Sequence, residues 1–361
     1  MSEQNRPQHE WVFVYYMSYD NNLAYCGPVI LEELEHGVKA SELVVTVLYD
    51  DESKEGLKRY TITSEGRKYE LLDTDNSASE EVLYNYLTWV AEHYPSKHHA
   101  VIFLDHGGRL DEMCFDEWPG ENENKHWLSA RLASSVIRKF RKEIAGEVDL
   151  LFLQQCGRGS LENLYNFRDA AATVMASQMN VGAPNTYYEP TLKWLARHKN
   201  ASGVEIAKQI MSNDEHFSNY VCLDGKAIEQ IPAQINPLID ALLGNEGQEL
   251  ISITRGKPCF QYKTEKNYDL MNWFQNMFKE NNIPKEQLDK FEKWLHEHLI
   301  YAVVSHPDRS ESLKHLCGIS LFVPESKEAY EEYSDYPIYM DSNLGALWKI
   351  IYQIDTKSRE D

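Results

Sequence analysis

The order of apolar and amphipathic segments is the feature that most constrains how this chain can fold. In its first half, short apolar runs that predict buried strands alternate with segments of helical periodicity. The predicted strands are HEWVFVYYMSYDNN (9–22), ELVVTVLYDDE (42–52), HAVIFLDHGG (99–108), VDLLFLQQCG (148–157) and TVMASQM (173–179). Helices are predicted over 27–37, 77–94 and 127–146, and a hairpin over 57–73. This alternation is typical of an α/β protein with a mostly parallel central sheet flanked by helices on both faces.

The second half of the chain is richer in helical patterns. Several amphipathic segments follow residue 200, and a closing helix is predicted over 344–354. Further strands are expected near 299–305 and 317–323. We therefore predict an α/β core over residues 1–200 and a helix-rich C-terminal region over 201–361 that completes the sheet.

Charge and cysteine content exclude several classes of function. The chain has 361 residues and a formal net charge of -21, so nucleic acids and anionic membrane surfaces are not expected partners. No apolar run is long enough to span a membrane, and the polar start MSEQNRPQHEW contains no secretory signal. The six cysteines are widely spaced without a CxxC pair, which predicts reduced thiols of a cytoplasmic protein.

Two reactive side chains follow predicted strands. His106 comes directly after one strand and is followed by Gly107 and Gly108, whereas Cys156 ends another in LFLQQCGRGS. Ligands bind at the carboxyl ends of strands in such sheets, so both side chains are expected in one cleft. Each residue alone has an ordinary explanation, since loop histidines commonly form hydrogen bonds with nearby residues and free cysteines commonly lie in the core. Their joint occurrence favours a thiol that a nearby imidazole activates.

These two segments resemble the cysteine peptidases of the caspase, gingipain and clostripain clan, in which His-Gly follows one strand and Cys follows the next. Further segments narrow the resemblance to the clostripain-like family. VFVYYMSYDNNL (12–23) resembles the opening strand of that family, and LLFLQQCGRGSLENLY (150–165) its nucleophile segment. VMASQMNVGAPNTYYEPTLKWL (174–195), YDLMNWF (268–274) and CGISLFVP (317–324) are similar to later family motifs. The resemblance covers roughly residues 10–354.

The resemblance implies a caspase-like three-layer sandwich with a helical C-terminal extension, in which residues 1–200 are the catalytic core. It also implies a cysteine endopeptidase that cleaves proteins or peptides through an acyl-enzyme. Cys156 would be the nucleophile and His106 the general base or ion-pair partner. The amides of Gly107 and Cys156 would form the oxyanion hole, and the chemistry would need no metal or other cofactor.

Substrate recognition is where the sequence departs from the family pattern. Clostripain-like enzymes typically bind a basic P1 residue with an acid two positions before the cysteine, where this chain has Gln154. The loop after Ser177 and Gln178, where the family often has further acids, contains none, although Glu189 lies nearby. Asp20, in the run Asp-Asn-Asn that ends the first strand, either borders the cleft or forms a turn. We predict that Gln154, Ser177, Gln178 and Asp20 bind substrate and that the P1 preference is altered or relaxed.

Regulation and rival functions stay open at the level of sequence. The acidic run 50–52 predicts either a Ca²⁺ site, which would make Ca²⁺ an activator, or a solvated turn. Arg109 and Lys125 are candidate cleavage sites for an activating protease, or else residues of an accessible loop. The alternatives to a constitutive endopeptidase are a latent or partner-activated protease of a bacterial signalling or defence cascade, a non-catalytic caspase-like binding protein, and a hydrolase of small amides.

Overall fold

Three sheets organise the described part of the chain, which in this computed structural model comprises residues 9–121, 123–144, 146–244 and 256–353. The strands are β1 (His9–Ser18), β2 (Val44–Asp50), β3 (Lys58–Thr63), β4 (Gly66–Leu71), β5 (Ser96–Leu104), β6 (Glu112–Phe115), β7 (Trp127–Ser129), β8 (Glu147–Gln154), β9 (Thr173–Ala176), β10 (Asn219–Asp224), β11 (Phe260–Tyr262), β12 (Glu265–Asp269), β13 (Ile300–Ser305) and β14 (Ser320–Phe322).

Helices connect these strands. They are α1 (Cys26–Val38), α2 (Glu80–His93), α3 (Ala130–Glu143), α4 (Leu161–Asn166), α5 (Tyr188–Arg197), α6 (Gly203–Asn213), α7 (Ile231–Leu243), α8 (Leu270–Glu280), α9 (Glu286–Trp294), α10 (Ser310–Leu313), α11 (Lys327–Glu331), α12 (Pro337–Asp341) and α13 (Leu344–Ile351). Short 3-10 or π turns occupy Ala227–Gln230, Leu295–Leu299 and Pro307–Arg309. Among the helices of the described ranges, none is long and apolar enough to cross a membrane.

The central sheet has nine strands in the order β13-β10-β9-β8-β5-β1-β2-β3-β4. Strands β2, β1, β5, β8 and β9 are mutually parallel, and antiparallel neighbours extend this core on both sides. Parallel strands that are buried on both faces require nearly continuous apolar sequence, and residues 11–17 and 150–153 are all buried. The structure confirms the predicted α/β class and its mostly parallel sheet.

Helices cover both faces of this sheet because side chains alternate along each strand. In β1, Phe13 and Tyr15 pack in one cluster with α1, α5 and α6, whereas Val12 and Val14 pack in the other with α2, α3, α7 and α8. Serine caps start several of these helices. The hydroxyl of Ser129 accepts a hydrogen bond from a backbone N–H in the first turn of α3, for example. The result is a three-layer sandwich.

The region after residue 200 contributes to the central sheet differently from the prediction. The strand expected near 299–305 is present as β13, at the edge of the central sheet. The strand expected near 317–323 is present as β14, but it joins β12 and β11 in a separate sheet, which corrects its predicted place. Local contacts hold β14 there, because the N–H of Ser320 donates to Gly159 O and that of Phe322 donates to the Glu162 carboxylate. The division of the chain at residue 200 stays a prediction.

Glu162 anchors the contact between α4 and the C-terminal region. Its carboxyl is fully buried and accepts hydrogen bonds from the N–H of Phe322 at 3.2 Å and the hydroxyl of Tyr339 at 3.0 Å. Burial raises the pKa of Glu162 to about 7, against the hydrogen bonds that lower it.

We expect Glu162→Gln to remove part of the pH dependence of stability. The folded pKa of about 7 lies above the ordinary value of 4.5, so the folded state binds a proton that the unfolded state releases between these pH values. The stabilisation is therefore present at low pH and is lost as the pH rises through the folded pKa. The melting temperature of the wild type should fall more steeply than that of the variant between about pH 5 and pH 8. Glu92→Gln, at an exposed position of α2, is the control, and parallel curves for wild type and Glu162→Gln would contradict the assignment.

Candidate active site

The carboxyl ends of β5 and β8 bring the two predicted reactive residues together. These strands are parallel neighbours in which Leu104 pairs with Gln154. His106 and Cys156 each lie two residues beyond this pair, so the sheet register places them level with one another. Both line one cleft with a volume of about 640 Å³.

The residue after His106 has to be glycine. A Cβ atom on Gly107 would lie 2.1 Å from the carbonyl oxygen of Cys156 and 3.1 Å from Nε of Arg158. Any side chain would therefore push apart the loops that follow β5 and β8. Gly107 also lies opposite Met113 in an isolated β-bridge, in which the hydrogen bonds are made by the flanking residues His106 and Gly108. The N–H of Gly107 therefore has no backbone partner among the described residues.

His106 is oriented by the loop after β1. Its Nε2 lies 2.7 Å from Oδ1 of Asn22, and because an amide oxygen only accepts hydrogen bonds, Nε2 carries the proton in this arrangement. Nδ1 is then left as the basic nitrogen. Burial lowers the pKa of His106, which keeps the imidazole neutral near pH 7. The preceding Asp105 has a φ of 146°, and its buried carboxylate accepts hydrogen bonds from Asn21 Nδ2 and the N–H of Phe115.

The thiol of Cys156 is held by the main chain of Val181. The Val181 N–H lies 3.4 Å from Sγ, and Sγ lies 3.5 Å from the Val181 carbonyl oxygen. Burial raises the pKa of Cys156, whereas the Val181 backbone and the charge of Arg158 lower it. In the described part of the chain, no hydrogen bond joins Cys156 directly to His106 in this conformation.

Gln154 forms the neutral floor of the cleft beside the thiol. Its side chain is buried, with Nε2 donating to Asn185 Oδ1 at 2.5 Å and to the Tyr188 hydroxyl at 3.1 Å. Its Oε1 accepts a hydrogen bond from the Tyr187 hydroxyl at 2.5 Å. Asn185 in turn donates to Asp214 at 2.8 Å, so the carboxylate of Asp214 lies behind Asn185 and does not line the cleft.

Three other side chains that we predicted to bind substrate, those of Ser177, Gln178 and Asp20, lie outside the cleft. The hydroxyl of Ser177 is buried, accepts a hydrogen bond from the Met179 N–H and lies 3.2 Å from Asn219 Oδ1. Gln178 is fully buried, and its amide group faces Asp269. Their polar groups are used inside the core, which corrects the prediction that they contact substrate.

Asp20 is also displaced from the predicted position. It is buried near Asp116 and Asp75, and burial, followed by the repulsion of these carboxylates, raises its pKa to about 7. It does not line the cleft, whereas Asn22 from the same turn does. Glu189 lies on α5 with Lys193 as its ion-pair partner and does not line the cleft either.

The acidic run 50–52 does not fit a Ca²⁺ site. Asp50 is buried and accepts a hydrogen bond from the Ser77 hydroxyl, whereas Asp51 pairs with Lys58. Within the described ranges, no group of three or more His, Cys, Asp or Glu side chains is arranged to hold a metal ion.

Several cleft residues were missed by sequence reasoning. β11 contributes Phe260 and Tyr262 to the wall of the cleft, and Asn185 contributes to its floor. Phe260 packs so closely that a Cβ on Gly157 would lie 2.3 Å from its ring. These residues are remote in sequence and carry no motif. Arg158 does not line the cleft, but it lies two residues after Cys156 in QQCGRG and could have been singled out there.

Comparison with known proteins agrees with this fold. The family model described as the clostripain family, peptidase C11, matches residues 15–352. An inactive zymogen C11 protease from Parabacteroides distasonis is 16% identical, with a TM-score of 0.70 over 92% of this chain and 98% of that chain. A secreted C11 cysteine protease from Bacteroides thetaiotaomicron, solved with an irreversible peptide inhibitor, is also 16% identical, with a TM-score of 0.69 over 93% and 99% of the two chains. A search of curated protein sequences found no match. The family match covers nearly the whole chain and confirms the resemblance, so this protein is a cysteine peptidase and belongs to the clostripain family.

Proposed function

We propose that this peptidase is an endopeptidase in which Cys156 is the nucleophile and His106 the general base. The observation that carries the proposal is the level placement of both residues beyond the paired ends of β5 and β8, on one cleft. Membership of the clostripain family favours protein or peptide substrates over small amides.

The reaction follows from these groups. Nδ1 of His106 takes the proton of Cys156 as Sγ attacks the scissile carbonyl carbon, and the N–H groups of Gly107 and Cys156 stabilise the resulting oxyanion. The imidazolium then gives its proton to the leaving amine as the C–N bond breaks and the thioester forms. Water hydrolyses the thioester after His106 takes one of its protons, and that proton returns to Sγ. These steps use no metal or other cofactor.

Replacing either dyad residue should separate thiol chemistry from folding. We expect Cys156→Ala to abolish both peptide cleavage and labelling by a peptide acyloxymethyl ketone. His106→Ala should lower kcat/KM by about a thousandfold because general-base catalysis is lost. Mass spectrometry of the labelled peptide and a fluorogenic assay measure the two effects.

Cys259→Ala is the matched control, because Cys259 is the other cysteine with a partly exposed position in the described chain. It should keep labelling and activity. Failure of the wild type to react under reducing conditions, with and without Ca²⁺ and after limited proteolysis, would instead support a non-catalytic binding protein.

We further propose that the S1 pocket selects a neutral P1 residue. A basic P1 side chain needs a carboxylate at the pocket floor, and here Gln154 and Asn185 present amides. Asp105 is the acid that lines the cleft among the described residues, and both of its oxygens accept hydrogen bonds from the protein. A buried cation without a partner is strongly disfavoured, so P1-Arg and P1-Lys substrates lose affinity.

A substitution at Gln154 should restore basic specificity. We expect Gln154→Asp to raise the ratio of P1-Arg to neutral-P1 cleavage by about tenfold, because it supplies a carboxylate at the floor. Gln154→Asn introduces a neutral side chain of the same size as aspartate and should leave the ratio unchanged. A panel of fluorogenic peptides with P1-Arg, P1-Lys, P1-Asp and neutral P1 residues measures it, and exclusive P1-Arg cleavage by the wild type would refute a neutral pocket.

Latency is the second proposal, and the position of the thiol favours it. Sγ of Cys156 forms hydrogen bonds with the Val181 backbone, and none joins it to His106 in the described part of the chain, so the thiol is not engaged with the imidazole in this conformation. Activation by proteolysis, by a protein partner or by Ca²⁺ would have to move one of these groups. The cytoplasmic location predicted from the sequence stays a prediction.

Of the two predicted cleavage sites, Lys125 is the better candidate. Arg109 pairs with Glu265 at 2.7 Å and with Glu332, and its side chain is 31% exposed. Lys125 is 43% exposed in the loop before β7 and pairs with Glu80.

We expect Lys125→Gln to prevent activating cleavage, whereas Arg109→Gln leaves cleavage at Lys125 intact. The fragments of purified wild type and variants, incubated with and without trypsin-like protease, are measured by mass spectrometry alongside activity. Cys156→Ala distinguishes the two kinds of cleavage, because this variant cannot cleave itself and can be cut only by the added protease. Full activity of uncleaved wild type would contradict latency.

A further inference from the structure

The guanidinium of Arg158 is a buried cation that the reaction scheme above leaves unused. The residue is 1% exposed. All five of its N–H groups donate to main-chain carbonyl oxygens, which belong to Cys156, Gly108, Arg109, Leu110 and Glu112. Arginine keeps its proton in proteins, so a full positive charge is buried beneath the cleft.

This charge has no dedicated anion among the described residues. Glu265 is close enough to act on it, but pairs with Arg109 at 2.7 Å and accepts from the Leu110 N–H. Asp111 is also close, but accepts a hydrogen bond from Ser129 and lies 3.5 Å from the guanidinium of Arg131. A buried cation held only by carbonyl dipoles favours the appearance of a negative charge nearby.

We propose that Arg158 is the buried counter-charge of the Cys156 thiolate and thereby a positioning residue of the nucleophile. The inference rests on the proposed role of Cys156. Nε of Arg158 is 3.3 Å from the Cys156 carbonyl oxygen and lies beneath the contact between Gly107 and Cys156. When His106 removes the thiol proton, negative charge forms on the residue whose carbonyl oxygen this cation already holds.

The same guanidinium fixes the geometry of the dyad. Four of its five hydrogen bonds hold carbonyl groups between residues 108 and 112, in the loop that follows His106. The fifth holds the nucleophile loop. Arg158 therefore joins the two loops mechanically and also supplies the charge, and these two roles have different experimental signatures.

Other groups also act on the thiol. The charge of Arg158 lowers the pKa of Cys156, whereas burial and the carboxyl of Asp105 raise it. The ionisable groups that face Cys156 are His106 and Asp105 after β5, Arg158 in its own loop and Tyr220 on β10; the Val181 segment contributes backbone groups. Arg158 is the cation among them that stays charged at every working pH.

The pH dependence of Cys156 alkylation separates charge from mechanics. Iodoacetamide modifies the thiolate, and the rate at Cys156 is measured by mass spectrometry of its peptide without any substrate. We expect Arg158→Met to raise the midpoint of the rate profile by about one pH unit, because an opposite charge is removed. Arg158→Lys retains the charge but has fewer hydrogen-bond donors to hold the two loops. Its midpoint should therefore rise by less than half of the rise seen for Arg158→Met, while its peptidase activity still falls.

Arg138→Met is the matched structural control. Arg138 also donates to a buried carbonyl, that of Asn166, but lies on α3 away from the thiol. It should lower the melting temperature without moving the midpoint. A folded Arg158→Met with a wild-type midpoint, or equal midpoints for Met and Lys, would overturn the proposal.

A measurement on the unaltered protein covers the case in which Arg158→Met does not fold. The measurement is made at about pH 9, where imidazole is neutral. There, the ratio of the alkylation rate with anionic iodoacetate to the rate with neutral iodoacetamide should be higher at Cys156 than for free cysteine, although the whole chain is acidic. A ratio at or below that of free cysteine would overturn the proposal. Since neither alkylation assay requires turnover, an inactive wild type would contradict the proposed peptidase reaction without deciding the role of Arg158.

Discussion

The contact between Gly107 and the carbonyl of Cys156 is the constraint on which the site depends. The loops after β5 and β8 meet at a separation that admits no side chain on Gly107. The register of Leu104 with Gln154 brings these loops level, and the five hydrogen bonds of Arg158 hold them there. The placement of the proposed dyad is therefore a consequence of sheet register and one glycine, since neither side chain forms a hydrogen bond with the other.

The parts of the fold that could be predicted are those that local sequence determines. The second halves of β5 and β8, residues 100–104 and 150–153, are buried on both faces and are continuous apolar runs, and His106 and Cys156 stand out just after them. β10 escaped prediction because its apolar run is short and is bounded by the polar residues Asn219 and Asp224. β14 was predicted as a strand but assigned to the wrong sheet. An apolar run indicates a strand, whereas its partner is decided by remote contacts such as the one from Phe322 to Glu162.

The errors at the site have a similar physical origin. A polar side chain after a strand is equally suited to bind substrate or to satisfy a buried group, and the sequence of Ser177 and Gln178 does not separate these outcomes. In the fold, this segment turns inward because Gly159 packs on the Ser177 backbone, with a Cβ position only 2.8 Å from its carbonyl carbon. Conversely, Phe260 and Asn185 reach the cleft from distant segments through tertiary packing alone.

The identity of residue 154 is coupled to that of its neighbours. An amide both donates and accepts, so Gln154 can donate to Asn185 Oδ1 while it accepts from Tyr187. A carboxylate only accepts, and it would have to turn the Asn185 amide and withdraw the hydrogen bond that Asn185 gives to Asp214. Oδ2 of Asp214 would then keep the hydrogen bond from the Tyr220 hydroxyl but lose the one from Asn185, which makes this buried carboxylate less well compensated for desolvation. The specificity that we propose for this floor would thus depend on the hydrogen-bonded chain from Gln154 through Asn185 to Asp214, because a change at the first residue alters the hydrogen bonding of the last.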